Sequence, residues 1–193
     1  MHERRKPLGR AVIVLLLAAG VAGCGGGAAT PTAFDLTAPR GRQPGTLLGQ
    51  LVVAEPIGIQ VYNSERIVVR QGSSLTYLAG AQWTDTLPRL LQSRIIQAFE
   101  NSSRIKAVGR PGERLTADRQ LNVEIRAFEV DTARAEAVVE ITGKLVNDQT
   151  GKIALARTFV ARMPVAAVDG ANATAALDAA LQRVLVEIVL WAR

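Results

Sequence analysis

The 193-residue chain has one cysteine, Cys24, and one histidine, His2. A lone cysteine excludes an intrachain disulfide and any site built from several thiolates. Beyond position 2 no side chain titrates near neutral pH of itself, and the commonest zinc ligand is missing. Aromatic residues make up only 4% of the chain, too few to build stacking platforms for single-stranded nucleic acid. The formal net charge is +6, yet the basic residues form no run that would track a phosphate backbone. Half of that excess, four Lys/Arg against one Glu, falls within the first 23 residues. No nucleic-acid partner, no metal, no cofactor and no catalytic residue is therefore expected.

What the N-terminus does contain is ordered in three zones. Arg4, Arg5, Lys6 and Arg10 are basic, Ala11 to Ala19 are continuously apolar, and small residues lead to Val21-Ala22-Gly23-Cys24. This is the layout of a secretory signal peptide. Nine apolar residues are too few for a bilayer core, which takes about 20 as a helix. Val-Ala-Gly-Cys resembles the lipobox of bacterial lipoproteins, in which small side chains fit the peptidase cleft and the following thiol takes up diacylglycerol. The expectation is cleavage between Gly23 and Cys24, lipidation of Cys24, and a signal peptide over residues 1–23. Gly25 stands where an aspartate would act as an inner-membrane retention signal. The expected location is thus the cell envelope, lipid-anchored, facing the periplasm, at the outer membrane.

The remaining 170 residues suffice for one domain with a core. Residues 24–46, rich in Gly, Ala, Thr and Pro, read as lipidated cysteine and flexible tether, and residues 47–193 as the domain. Leu47 to Ala54 is an apolar run. Ile67-Val68-Val69 and Leu75 to Leu78 are short β segments joined by a turn at Gln71-Gly72-Ser73. Thr84 or Asp85 caps a helix with Pro88 in its first turn, and Leu87, Leu90, Leu91, Ile95, Ala98 and Phe99 form one apolar stripe ended by Asn101-Ser102-Ser103. Arg104 to Val108 reads as a short strand. Three strands then follow as a meander: Leu121, Val123, Ile125 and Ala127; Val139, Ile141 and Leu145; Ile153, Leu155, Phe159 and Met163. Arg157 breaks the apolar side of the last, which predicts a bulge or an edge position. A final helix starting at Asn172 or Thr174 carries Leu177, Leu181, Val184, Ile188 and Trp191. This order predicts an α+β fold: an antiparallel-rich mixed sheet with two amphipathic helices packed on one face.

Few constellations suggest chemistry. Ser73 and Ser74 lie in turn sequence rather than a nucleophile elbow. Glu124, Glu129 and Asp131 are the most suggestive carboxylates. The periodicity places Glu124 and Arg126 on one face with Glu129 opposite, and the general expectation for all of them is a solvated strand face. The candidate partner interface is Trp83 together with Val189, Leu190 and Trp191, although packing in the core or at a helix end is the ordinary reading of both tryptophans. Tryptophan anchors many interfaces, and Val189 and Leu190 lie off the main stripe of the last helix.

Val61-Tyr62-Asn63-Ser64-Glu65-Arg66-Ile67-Val68-Val69-Arg70, then Leu75-Thr76-Tyr77, then Ala81-Gln82-Trp83 leading into Leu87-Pro88-Arg89-Leu90-Leu91-Gln92, resembles a known family. So does Leu121 to Glu129, read as L-x-x-x-I-x-x-F-E, and the closing helix from Ala176 to Trp191. Phe34-Asp35-Leu36 departs mildly from the family's Tyr-x-Leu. The pattern is similar to that of the ABC-type transport auxiliary lipoproteins, the PqiC-like group. The resemblance implies a non-catalytic, membrane-anchored periplasmic subunit, possessing no catalytic residues. Its implied partners are an MCE-domain periplasmic protein, an ABC permease and its ATPase, with homo-oligomers among the expected states. The implied cargo is lipid or another hydrophobic compound. The alternatives weighed are a lipoprotein that chaperones an outer-membrane protein and, last, a lipid-anchored hydrolase. Lys106, Lys144 and Lys152 stand near no serine in a recognisable Ser–Lys motif.

Overall fold

Alternating apolar residues bury one face of a strand, and a 3.6-residue stripe buries one side of a helix. Both patterns are realised in a computed structural model of the chain, which describes residues 30–41, 48–102 and 105–192. The expected leader, Gly23 and Cys24 lie outside the described residues. In chain order the elements are β1 (Thr32–Phe34), β2 (Leu48–Val53), β3 (Ile57–Gly58), a 3-10 turn (Gln60–Tyr62), β4 (Arg66–Gln71) and β5 (Ser74–Trp83). There follow α1 (Leu87–Ser102), β6 (Ile105–Gly109), β7 (Arg119–Asp131), β8 (Glu136–Asn147), β9 (Ile153–Pro164) and α2 (Gly170–Trp191).

The spine of the sheet is β7, 13 residues long. One of its edges pairs along its whole length with β8, which pairs in turn with β9, giving the expected antiparallel meander. The other edge is shared by three parallel segments in relay: β2 opposite Arg119–Leu121, β3 opposite Glu124–Ile125, and β4 opposite Glu129–Asp131. From this edge two wings diverge, β2 to β6 and β4 through β5 to β1. The long ladders are antiparallel and the short ones mostly parallel, so the fold is the expected α+β mixed sheet.

Both helices cover the same face and touch each other. The first, α1, lies over β2 and β6; α2 lies over β8 and β9 and reaches β7 and β5. Leu87, Leu90, Leu91, Ile95, Ala98 and Phe99 are all buried, as the stripe predicts. So are Leu177, Leu181, Val184, Leu185 and Ile188 of α2. Each large aliphatic side chain removed from water in this way contributes about 1.5–3 kcal/mol. Two glycines let α2 approach the sheet. A Cβ on Gly170 would lie 2.9 Å from Ala81, and one on Gly143 would lie 3.4 Å from both Phe159 and Trp191. No described helix is long and apolar enough to cross a membrane.

The structure corrects several expectations. Within the segment read as tether, β1 pairs in parallel with Ala81–Trp83 of β5, and Leu36 enters the core. The domain therefore begins near Thr32, not at Leu47. The helix α2 is capped by Asp169, whose carboxylate accepts from the Asn172 backbone N–H at 2.9 Å, rather than starting at Asn172 or Thr174. That hydrogen bond to an orphan N–H of the first turn holds the Asp169 carboxyl below its ordinary pKa. The strand β7 has a register shift between Ile125 and Ala127, so Phe128 and Val130 replace Ala127 on the core side. Arg157 is on an edge strand, as expected, but opposes Gly143 in regular register; the irregularity of that ladder lies at Leu145/Val146. Ile153, assigned from periodicity to the apolar side, is 59% exposed.

Candidate functional site

The shift in β7 creates the most unusual feature of the molecule. Strand alternation puts Glu129 between the core residues Phe128 and Val130, aimed away from the helices. The chain facing it leaves the edge of β7 after β3, makes the 3-10 turn, and rejoins as β4. This detour brings Tyr62 over Glu129. The Tyr62 hydroxyl donates to Glu129 Oε2 at 2.5 Å, Arg70 Nη2 donates to the same oxygen at 3.2 Å, and Arg70 Nε donates to Oε1. Glu129 is only 3% exposed and Tyr62 1%, while the Arg70 side chain keeps one edge in water.

A buried carboxylate is tolerated when a cation and further donors satisfy its oxygens, and here both oxygens are bonded. Burial, and then the hydrogen bond to Glu129, push the Tyr62 phenol well above its ordinary pKa. It therefore remains a donor throughout the physiological range. The bond to Glu129 likewise raises the Arg70 guanidinium above its usual value. The expectation of a solvated strand face thus fails for Glu129. It fails also for Asp131, which is buried and accepts from the Ala133 and Arg134 backbone N–H groups and from Arg134 Nη1. It holds for Glu124, which forms an ion pair at 3.6 Å with exposed Arg126, itself 3.2 Å from Glu140. With the shift lying after Ile125, Glu129 shares the face of Glu124 instead of opposing it.

Nearer the Glu124 part of β7, the helix-free face offers a shallow groove of about 260 Å³, lined among others by Glu55, Ile57, Asn122, Glu124, Thr142 and Lys144. Ile57 is 69% exposed and Ile59 60%, both on the segment that the Tyr62–Glu129–Arg70 cluster pins from below. Large apolar side chains displayed on a pinned loop suit a protein contact. No group of three or more Asp or Glu able to hold a metal occurs among the described residues.

The residues expected to form a partner interface take other places. Trp83 is 1% exposed and packs edge-on against Phe128, with ring centroids 5.9 Å apart. Because β5 runs through to position 83, this tryptophan is a core residue of a strand and not a loop anchor. Val189 is buried too, since the apolar stripe of α2 is wider than its main repeat. Trp83 and Val189 thus present no surface to a partner. Leu190 and Trp191 are half-buried, and Trp191 packs edge-on against Phe159 at 5.4 Å over Gly143. A signal for the buried cluster was nonetheless present. Tyr62 leads the turn of the family-like pattern, Arg70 closes its I-V-x-R strand, and Glu129 closes L-x-x-x-I-x-x-F-E.

The described residues form an α+β domain whose two helices cover one face of a forked mixed sheet. Its sequence places it more closely: the chain belongs to the family described as the ABC-type transport auxiliary lipoprotein component, whose pattern matches residues 34–189. Protein XCC0632 from Xanthomonas campestris has a crystal structure with 30% sequence identity and a TM-score of 0.76, covering 83% of this chain and 94% of that one. The fold also recurs in the hypothetical protein CT253 from Chlamydia trachomatis, at 11% identity and a TM-score of 0.52, covering 74% of this chain and 94% of that one. Among curated proteins, the uncharacterized protein bll6063 of Bradyrhizobium diazoefficiens is 29% identical over 170 residues. The match covers 86% of this chain and 46% of that protein, so the chain spans about half the length of this relative.

Proposed function

We propose that the chain is the non-catalytic lipoprotein subunit of an envelope transport system that moves lipid or other hydrophobic cargo. On this reading it works beside an MCE-domain periplasmic protein, an ABC permease and the permease's ATPase. The observation that carries the reading is the family match, which runs from β1 to the last turn of α2 and so includes the open face and its pinned loop. The lipobox-like Val21-Ala22-Gly23-Cys24 supports the anchor, with Cys24 carrying the lipid at the periplasmic side of the outer membrane.

The early start of the domain sharpens this picture. From Cys24 to Thr32 the chain spans at most about 29 Å when fully extended. The sheet is therefore held within a few nanometres of the lipid, where a docking subunit would meet the end of a periplasmic conduit. The test is crosslinking and purification of the tagged chain from native membranes, with Cys24→Ser as the unanchored control. The expected result is recovery of an MCE-domain protein and an ABC permease, reduced for Cys24→Ser. Their repeated absence under crosslinking would overturn the proposal, and recovery of an outer-membrane barrel protein in their place would favour an assembly role.

A further inference from the structure

A short tether leaves a domain little choice of which end meets the bilayer. Strand direction identifies that end here. β1 runs parallel to β5, whose first residue is Ser74, so the chain enters β1 from the end of the sheet where β5 begins. Gln82, beside Ala33, is opposite Arg66, and Val68, two residues on, is opposite Glu129. β1 is thus level with the part of β7 just before Glu129, nearer its Asp131 end than its Arg119 end. The 13 residues of β7 span about 43 Å, against at most about 29 Å from Cys24 to Thr32.

Strand order places three loops at the entry end: Gly72-Ser73 after β4, residues 132–135 after β7, and residues 165–169 after β9. The Val165 N–H donates to the Ala135 carbonyl at 2.8 Å and the Thr132 N–H to the Arg70 carbonyl at 3.0 Å, which holds the three together. They contain two charged residues, each engaged by its own chain: Arg134 bonds Asp131 at 2.9 Å, and Asp169 caps α2. The rest is small, hydroxylic or apolar. Ala133, Ala135, Ala166 and Ala167 are exposed, and Val168 is 45% exposed. The opposite end differs. Its loops 110–118 and 148–152 are joined by the Asp148 N–H donating to the Asp118 carbonyl at 3.2 Å. They expose Arg110, Glu113, Arg114, Asp118, Asp148 and Lys152. An apolar side chain gains free energy at the boundary of headgroups and acyl chains, and a charged one does not.

We infer that the loop between β9 and α2 rests in the lipid surface, with Val168 and its neighbouring alanines at the headgroup boundary, and that the charged end faces away from it. The inference rests on the lipid anchor at Cys24 proposed above. Cys24 is the single cysteine and the lipid consumes its thiol, so an introduced cysteine is the sole labelling site. Ala166→Cys and Gln149→Cys, both at exposed positions, are labelled with an environment-sensitive maleimide in the intact lipidated chain. The chain is carried on vesicles of phosphatidylethanolamine and phosphatidylglycerol. Brominated lipid in those vesicles is expected to quench the probe at 166 about twofold or more and to leave the probe at 149 unquenched. Val168→Glu is expected to abolish quenching at 166 while the chain still floats with the vesicles. Equal quenching at the two sites of a floating chain, or quenching at 166 that Val168→Glu leaves unchanged, would overturn the assignment alone. A chain that fails to float would overturn the anchor and the assignment together.

Discussion

The two ends of β7 carry the same chemistry at different depths. At the Glu124 end, Glu124, Arg126 and Glu140 form an ion-pair chain in water. At the Glu129 end, a carboxylate of the same type is closed over by Tyr62 and removed from solvent, while its partner Arg70 keeps one edge in water. The difference teaches that position on a strand face does not fix the worth of a charge; the covering segment does. Exposed pairs contribute about 0–1 kcal/mol, whereas removing one partner of a buried pair costs several.

Substitutions at the two ends sharpen that contrast. The largest expected effect is Glu129→Ala. Stranding a buried charge typically costs about 3–5 kcal/mol, but Arg70 is partly exposed and can rehydrate, so a loss of about 2–3 kcal/mol is expected in urea unfolding. A loss below the error of that measurement would show that the cluster is not a stabilising element. Next comes Tyr62→Phe, which keeps the ring but withdraws one donor from the buried carboxylate. Its expected cost is about 1–2 kcal/mol. Hydrogen exchange in the Ile57–Tyr62 segment should accelerate more than exchange in α1 if the cluster pins that segment. The smallest effect is expected for Arg126→Ala, within about 0.5 kcal/mol of the parent and shrinking further in salt. A cost equal to that of Glu129→Ala would erase the distinction between the two ends.

Periodic elements were legible in the sequence, and elements made by distant partners were not. The stripes of α1 and α2 and the alternation of β7, β8 and β9 each depend on residues a few positions apart, so they read directly. Thr32-Ala33-Phe34 is too short to show alternation, and its strand character comes from pairing with Ala81–Trp83. The shift after Ile125 left no local mark either, because Ala127 is small and apolar enough to pass for a core residue. The cluster joins residues 59 and 67 positions apart, so no window held it. Only the resemblance carried its three letters, without saying that they meet. Trp83 fails as an interface anchor for a related reason: nothing near it showed that β5 continues to its position, and of its two readings core packing is the one realised.

The relay along β7 also orders events in time. Strands β2, β3 and β4 come from the first part of the domain, yet all three pair with a strand that begins only at Arg119. Such parallel pairings close long loops and are slow to nucleate, whereas the hairpins of β7, β8 and β9 close short ones. As the chain emerges from its N-terminus, β4 and β5 can close as a hairpin and β2 can meet β6, but the strand that joins these two wings is still missing. The architecture thus delays its own completion: the two wings become one sheet only when residues from Arg119 onward are available to both.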